Sequence, residues 1–172
     1  MTIQGKKFYT LVFTLDQPNQ KILLGMKKRG FGMNKYNGFG GKLEPGETIE
    51  EAAYRELLEE SYIKAKDMKH VGINLFTFEN NPIAMEVHVF VTLNYEGTPL
   101  ETEEMRPEWF SYDAIPYDQM WTDDRFWLPI ALDGKMFIGE YYFAEDQKTI
   151  LSEKLDIVHE LPREFDLDKR TF

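Results

Sequence analysis

Residues 40–63, GGKLEPGETIEEAAYRELLEESYI, contain the clearest helix signal in the chain. Thr48 can act as the N-cap, and Glu51 three residues later completes a capping box. Apolar residues then recur at helical spacing, at Ile49, Ala53 and Leu57. The pattern predicts a helix that begins after Thr48 and turns this apolar stripe toward a core.

The same helix carries three glutamates opposite the apolar stripe. Glu56, Glu59 and Glu60 stand at positions i, i+3 and i+4, so their carboxylates crowd together and repel one another. Most glutamate-rich helices simply expose such a face to solvent, which is one interpretation. The other is that hard divalent cations, bridged to triphosphate oxygens, convert the repulsion into coordination.

The spacing around these glutamates favours the second interpretation. Five residues separate Gly41 from Glu47, seven separate Glu47 from Arg55-Glu56-Leu57, and Glu59-Glu60 and Ile63 complete the run. This run resembles the Nudix box, G-x5-E-x7-R-E-U-x-E-E-x-G-U with U aliphatic, at every fixed position but one. The exception is Tyr62, where the family has glycine. A bulky residue held there with a positive φ would cost about 1–2 kcal/mol, so we expect either a strained left-handed turn or a rebuilt one.

The resemblance implies an α/β fold, the Nudix α/β/α sandwich with a mixed β-sheet, in which the box forms a loop, a helix and a loop. Carried over residue by residue, it makes Glu56, Glu59 and Glu60 the ligands of Mg²⁺ and the carboxylates that activate water, with Mn²⁺ as a substitute ion. It adds Gly40 and Glu104, on a strand beyond the box, as further metal ligands. The general chemistry of metal-assisted hydrolysis agrees with such a set.

Two more features of the box concern the positioning of its helix and loop. The resemblance implies that Arg55 and Glu47 pair and so orient the helix. It also implies that the backbone of Gly40 and Gly41 approaches the phosphates, which glycine allows because it has no side chain. A tight turn alone would explain the same two glycines.

Segments outside the box resemble the animal members of the family that hydrolyse oxidised purine nucleoside triphosphates. They include YTLVFTL at 9–15, LLGMKKRGFG at 23–32, YNGFGGK at 36–42, EMRPEWF at 104–110 and TILSEKL at 149–155. This resemblance implies a phosphate contact at Lys27 and a base pocket formed by Thr10, Phe31, Tyr36, Asn37, Phe76, Met105, Trp121, Asp123 and Asp124. Tyr36 departs from the relatives, which have tryptophan. The implied reaction converts substrates such as 8-oxo-dGTP and 2-oxo-dATP to the monophosphate and pyrophosphate.

Each of these residues also has a structural interpretation. Aromatic residues, methionine and Trp121 are more often ordinary core, and Lys27 lies among other surface cations. Asp123 and Asp124 could be the N-cap and first-turn acid of a helix. The three histidines match no ligand spacing, so we expect them to be structural or exposed.

The rest of the chain predicts a single domain rich in strands. We expect strands at 8–15, 21–27, 71–78, 85–91, 106–111, 135–143 and 149–157, the first two as a hairpin, and a second helix at 124–132. With 172 residues, residues 1–161 are expected to form one Nudix hydrolase domain, followed by a charged, aperiodic tail at 162–172.

Composition limits the partners that the protein can have. The net charge of −10 argues against binding of polymeric nucleic acid, and the absence of cysteine excludes disulfides, thiolate metal sites and a cysteine nucleophile. No run is long enough to span a membrane. We expect a soluble monomer with a small-molecule nucleotide as substrate, in the cytoplasm or also in the nucleus or mitochondria. The alternatives are a Nudix hydrolase of a dinucleoside polyphosphate, a nucleotide sugar or an RNA cap, and a catalytically silent nucleotide-binding module.

Overall fold

The computed structural model describes residues 2–172, and in that range the chain forms ten β-strands and two α-helices. The strands are β1 (Gly5–Asp16), β2 (Lys21–Lys27), β3 (Tyr36–Asn37), β4 (Lys64–Ala65), β5 (Lys69–Phe78), β6 (Asn81–Thr92), β7 (Tyr95–Glu96), β8 (Met105–Ser111), β9 (Met136–Phe143) and β10 (Ile150–Val158), and the helices are α1 (Ile49–Ser61) and α2 (Asp124–Leu132). Every strand and helix expected from the sequence is present. The two-residue strands β3, β4 and β7 were not predicted, because so short a segment has no periodicity to detect.

Most of the strands join one mixed sheet. Its order is β10-β9-β5-β6-β1-β2-β3, and β8 pairs with β2. The β1–β6 and β5–β9 pairs are parallel, whereas the other pairs are antiparallel, including the predicted β1–β2 hairpin. Strands β4 and β7 form a separate two-stranded sheet.

The two helices cover opposite faces of the sheet. Along β1, Leu11 and Phe13 belong to the cluster that contains Trp127 of α2, while Val12 between them belongs to the cluster that contains Leu57 of α1. Successive side chains of a strand point to opposite faces, so this division places one helix on each side. The predicted α/β/α sandwich with a mixed sheet is confirmed.

Helix α1 is capped by Thr48 at its N-terminus and ends in a turn at Tyr62. The Thr48 hydroxyl accepts a hydrogen bond from the backbone N–H of Glu51 at 3.1 Å, which is the predicted cap. At the other end Tyr62 has φ +65° and ψ 11°, and its N–H bonds the carbonyl of Leu58. The turn is therefore the left-handed one that glycine usually fills, and Tyr62 holds it with a ring that is 54% exposed.

The last residues of the described chain pack on the sheet beside α1. Phe165 is buried in a cluster with Ile73, Leu75 and Ala84. Its backbone N–H donates to the buried carboxylate of Glu86 at 3.0 Å. The segment that the sequence shows as charged and aperiodic is thus anchored by one aromatic side chain and by backbone hydrogen bonds.

The histidines take structural positions around the same carboxylate. A ring nitrogen of His88 lies 2.7 Å from Glu86, and its other ring nitrogen lies 3.0 Å from His70. Lys6 donates to Glu86 at 2.8 Å. Although burial pushes the pKa of Glu86 upward, the hydrogen bonds from His88 and Lys6 hold it below its usual value. His159 is exposed.

Within residues 2–172 neither helix combines the length and the apolar character that crossing a bilayer would require.

Candidate active site

The glycine-rich loop before α1 runs alongside β1. The N–H of Thr10 donates to the carbonyl of Gly41 at 2.9 Å, and the N–H of Val12 donates to that of Phe39 at 2.7 Å. A Cβ on Gly40 would overlap the carbonyl of Thr10, and a Cβ on Gly41 would lie 2.8 Å from a carboxylate oxygen of Glu56. The loop can lie this close to both β1 and α1 only because these two positions have no side chain.

Arg55 is the centre of an ion-pair network on α1. Its guanidinium donates to both oxygens of Glu47, at 2.6 and 2.9 Å, and also to Glu56 at 2.9 Å and Glu59 at 3.1 Å. The Arg55 hydrogen bonds lower the pKa of Glu47 to about 2. The bidentate pair links the loop to the helix, and the remaining donors of Arg55 compensate part of the repulsion between the glutamates.

Glu60 lies deeper than the other glutamates of α1. Its side chain is buried, and one carboxylate oxygen accepts a hydrogen bond from the N–H of Gly40 at 2.9 Å. Burial raises the pKa of Glu60 to about 7, against the lowering effect of that hydrogen bond, and the charges of Glu56 and Glu104 add to the rise. Glu104 in turn accepts from Lys27 at 2.9 Å, and this bond holds the pKa of Glu104 below its usual value.

These carboxylates lie near one another but do not converge on a single metal position. Among residues 2–172 no three His, Asp or Glu side chains converge closely enough to hold a metal ion as they stand. Arg55 and Lys27 occupy oxygens of Glu56, Glu59 and Glu104 instead. The donors nevertheless fit a hard divalent cation, because they are all carboxylates and because burial, together with the charges of Glu56 and Glu104, destabilises the charged form of Glu60. A cation would remove that destabilisation.

A cavity of about 280 Å³ starts at this carboxylate cluster. Its lining includes Glu60, Gly40 and Gly41 together with Asp123 and Asp124. It also includes the predicted residues Thr10, Lys27, Phe31, Asn37, Phe76, Met105 and Trp121. The structure therefore brings Glu60 of α1 and the aspartate pair of α2 into the wall of one cavity, whereas Glu56, Glu59 and Glu104 do not line it.

The two aspartates are almost completely buried at the N-terminus of α2. Asp123 accepts a hydrogen bond from the indole N–H of Trp127 at 2.7 Å. In the described chain its side chain makes no hydrogen bond that would cap α2, which removes the capping interpretation for this residue. One oxygen of Asp124 has no hydrogen-bond partner within residues 2–172.

Burial favours the protonated form of this aspartate pair. It raises the pKa of both carboxyls, and the charge of Asp123 together with a hydrogen bond between the two side chains raises the pKa of Asp124 further. The two groups therefore act as one titrating unit that keeps a proton more readily than isolated aspartates do. Such a pair can both donate and accept hydrogen bonds.

Aromatic rings form the mouth of the cavity. Phe31, which is largely exposed, stacks on Trp121 with ring centroids 4.9 Å apart, and the Lys35 ammonium lies 5.3 Å from the Trp121 ring. Stacked rings of this kind suit a planar ligand such as a nucleobase.

Tyr36 lies outside the cavity. It packs edge-on against Phe110, and its hydroxyl donates to Glu108 at 3.2 Å. Tyr36 is buried in the cluster that contains Leu24 and Trp127. Of the two β3 residues, the structure places only Asn37 in the cavity wall.

Several residues of the cavity were not predicted from the sequence. They are Tyr9, Leu11, Gly32, Gly38, Lys42, Asn74, Phe78, Met85, Val87, Trp127, Phe143 and Gln147. The apolar members resemble ordinary core and carry no distinguishing signal. Asn74 does carry one, because an amide in the middle of the apolar strand VGINLFTF is rare unless it has a polar partner.

The fold and the box define the class of protein. The chain belongs to the Nudix family, since it matches the NUDIX domain over residues 6–129. Nudix hydrolases generally use divalent metal ions.

Particular relatives lie much closer than the family as a whole. The chain is 52% identical over 149 residues to the oxidized purine nucleoside triphosphate hydrolase of Mus musculus, covering 87% of this chain and 94% of the mouse protein. It is 50% identical over 155 residues to the protein of the same name from Danio rerio, covering 90% and 97%. The crystal structure of a MutT protein from Bacillus halodurans has a TM-score of 0.77 at 26% identity and covers 87% of this chain and 97% of the bacterial one.

Proposed function

We propose that this protein hydrolyses oxidised purine nucleoside triphosphates, such as 8-oxo-dGTP and 2-oxo-dATP, to the monophosphate and pyrophosphate, and so removes damaged nucleotides from the pool. The observation that carries the proposal is one cavity lined both by Glu60 of the α1 carboxylate cluster and by a proton-retaining aspartate pair. The two animal relatives support the choice of substrate.

The phosphate end of the cavity is the end at Gly40 and Gly41. The backbone there can approach the phosphates closely, and Lys27 can contribute a positive charge once it leaves Glu104. Glu56, Glu59, Glu60 and Glu104, with the Gly40 backbone, would hold Mg²⁺, or Mn²⁺ in its place. The ion, when bound, neutralises phosphate charge and activates water for attack on phosphorus.

Arg55 and Glu47 position these ligands rather than touch the substrate. Their bidentate pair connects the loop at Glu47 to α1, and so sets the distance between Gly40 and the carboxylate of Glu60. Loss of the pair would let the loop move relative to the helix. Its effect on turnover would therefore be transmitted through the positions of the ligands.

The base end is read by the aspartates. The O6 atom of an oxidised guanine accepts hydrogen bonds, and an ionised carboxylate has no donor to offer it. With the shared proton on one acid the pair meets oxidised guanine, and with it on the other it meets oxidised adenine, whose donors and acceptors differ. Phe31 and Trp121 would pack against the base, and Asn37, Phe76 and Met105 would complete the walls.

We further propose that the protein acts as a monomer on free nucleotides, in the cytoplasm, without polymeric nucleic acid or membrane as a partner. The net charge of −10 supports the first part, because a strongly acidic protein repels nucleic-acid backbones.

A substrate panel tests the proposed function. The purified chain would be assayed in Mg²⁺ with 8-oxo-dGTP, 2-oxo-dATP, dGTP, dATP, a dinucleoside tetraphosphate and a nucleotide sugar, and products would be separated by ion-exchange chromatography. The expected result is the highest kcat/KM for the two oxidised nucleotides, with pyrophosphate as the second product. A preference for the dinucleoside polyphosphate or the sugar would assign another Nudix reaction, and no hydrolysis of any of them would favour a silent binding module.

A further inference from the structure

A buried amide lies among the strands that form the inner wall of the cavity. Asn74 of β5 is 0% exposed, and its strand neighbours Ile73 and Leu75 point to the other face of the sheet, into the cluster with Phe165. Asn74 itself lines the cavity. Neither its oxygen nor its nitrogen has a hydrogen-bond partner within residues 2–172.

The register of the sheet gives this amide no hydrogen-bonding side chain among its direct cross-strand neighbours, Val87 and Gly139. Tyr9, Val87, Asn74 and Gly139 form one row across β1, β6, β5 and β9. The oxygen of Asn74 lies over Gly139, where any Cβ would overlap it. The row therefore provides space for a polar group that the surrounding chain does not hydrogen-bond.

A second unpaired group lies beside the amide. The Tyr141 hydroxyl has no partner in the described part of the chain, and it would be 3.3 Å from a Cβ built on Gly139. Burial raises the pKa of Tyr141 far above its usual value, so its hydroxyl stays protonated at neutral pH. Buried polar groups are nearly always hydrogen-bonded in folded proteins, so such a concentration of unpaired groups at a cavity points to a ligand.

The chemistry of the amide indicates which ligand edge it suits. A side-chain amide offers a donor and an acceptor side by side. The imidazole-ring edge of an 8-oxo purine presents the complementary pair, N7–H and the C8 carbonyl, whereas the same edge of an unmodified purine presents the acceptor N7 beside a C–H. The amide can thus form two hydrogen bonds to the oxidised edge but one to the normal edge.

We propose that Asn74 is a specificity-determining residue that recognises the oxidised imidazole edge of the base. The inference rests on the proposed function, and it adds a second reading site to the aspartate pair. The aspartates would read the six-membered ring of the base, while Asn74 would detect the oxidation at C8.

The test compares Asn74→Leu, which has similar volume and no polar atoms, with the wild type. We expect the ratio of kcat/KM for 8-oxo-dGTP to that for dGTP to fall by about five- to 150-fold, the effect of one lost buried hydrogen bond. Affinity for the product 8-oxo-dGMP, measured by titration calorimetry without metal, should fall relative to dGMP in the same sense. The melting temperature should be unchanged or higher, because an unpaired buried amide is replaced by an apolar group.

Thr14→Val is the matched control. The Thr14 hydroxyl is likewise buried and unpaired within residues 2–172, but it does not line the cavity, so its removal should leave the ratio unchanged. Asn74→Val removes the same amide at a smaller volume and should lower the ratio in the same sense, so it decides the matter if Asn74→Leu does not fold.

The outcomes distinguish a failure of the proposed role of Asn74 from a failure of the proposed function. A wild type that does not prefer 8-oxo-dGTP to dGTP overturns both. A wild type with that preference whose ratio is kept in Asn74→Leu, or in Asn74→Val where the first does not fold, overturns only the role of Asn74 and leaves the amide to an ordered water.

Discussion

Replacement of Tyr62 by glycine should stabilise the protein without affecting turnover. The residue adopts φ +65° at the end of α1, and a side chain held in the left-handed region costs about 1–2 kcal/mol. Glycine removes that cost but adds backbone freedom to the unfolded chain, worth about 0.4–1 kcal/mol. The net gain is therefore on the order of 0.5 kcal/mol, or roughly 1–2 °C in melting temperature for a chain of this length.

Tyr62→Ala is the control that isolates the backbone effect. Alanine and glycine both remove the half-exposed ring, so the packing of that ring is absent from both variants alike. Urea and thermal melts should show the glycine variant to be more stable than the alanine variant by the same amount, on the order of 0.5 kcal/mol. An alanine variant as stable as the glycine variant would refute the left-handed turn, and the deviation from the Nudix box would then have been accommodated by a rebuilt turn.

Three further predictions concern the site. Glu60→Gln should lower kcat by several orders of magnitude with folding nearly intact, since a ligand charge is lost at almost constant volume; a variant that keeps more than about a tenth of wild-type turnover at saturating Mg²⁺ would reject Glu60 as an essential ligand. Asp123→Asn and Asp124→Asn should change kcat/KM for 8-oxo-dGTP and 2-oxo-dATP by unequal factors, within about five- to 150-fold, and equal changes in every combination would defeat the shared-proton mechanism. Arg55 lowers the pKa of Glu47 to about 2, so their ion pair stabilises the fold above the ordinary glutamate pKa and this stabilisation is lost as pH falls toward 2. Urea melts should therefore show Glu47→Gln to be less stable than the wild type at pH 7, with the difference closing near pH 2. A difference that does not depend on pH would contradict this.

The sequence predicts the parts of the fold that depend on neighbouring residues. The helix over the box, its Thr48 cap and the β1–β2 hairpin follow from spacing within about fifteen residues, and the structure has all three. The left-handed turn at Tyr62 was one of two expectations, because a mismatch to a motif indicates strain but not how the chain responds to it.

The parts that could not be predicted depend on pairing between distant strands. Asn74 reaches the cavity because β5 lies between β6 and β9 in one particular register, and no local pattern encodes that register. Tyr36 was expected in the pocket from the resemblance to relatives, yet its ring packs on Phe110 and its hydroxyl bonds Glu108, both of which come from the distant strand β8. Phe165 is a single anchor in a charged segment, and one aromatic residue has no period to recognise.

The parallel pairing of β1 with β6 also governs how the protein must be assembled. Gly5 pairs with Ile83 and Gly72 with Phe137, so each parallel pair joins residues more than sixty positions apart. Contacts this distant close late and slow the folding of a domain. During translation one edge of β1 can pair with β2 at once. The strand that pairs with its other edge, β6, emerges on the order of ten seconds later at ribosomal speeds of about 5–20 residues per second. Ribosome pausing between the codons for residues 16 and 81 would prolong the time for which the β6-facing edge of β1 is unpaired, and would raise the aggregated fraction of newly made chains.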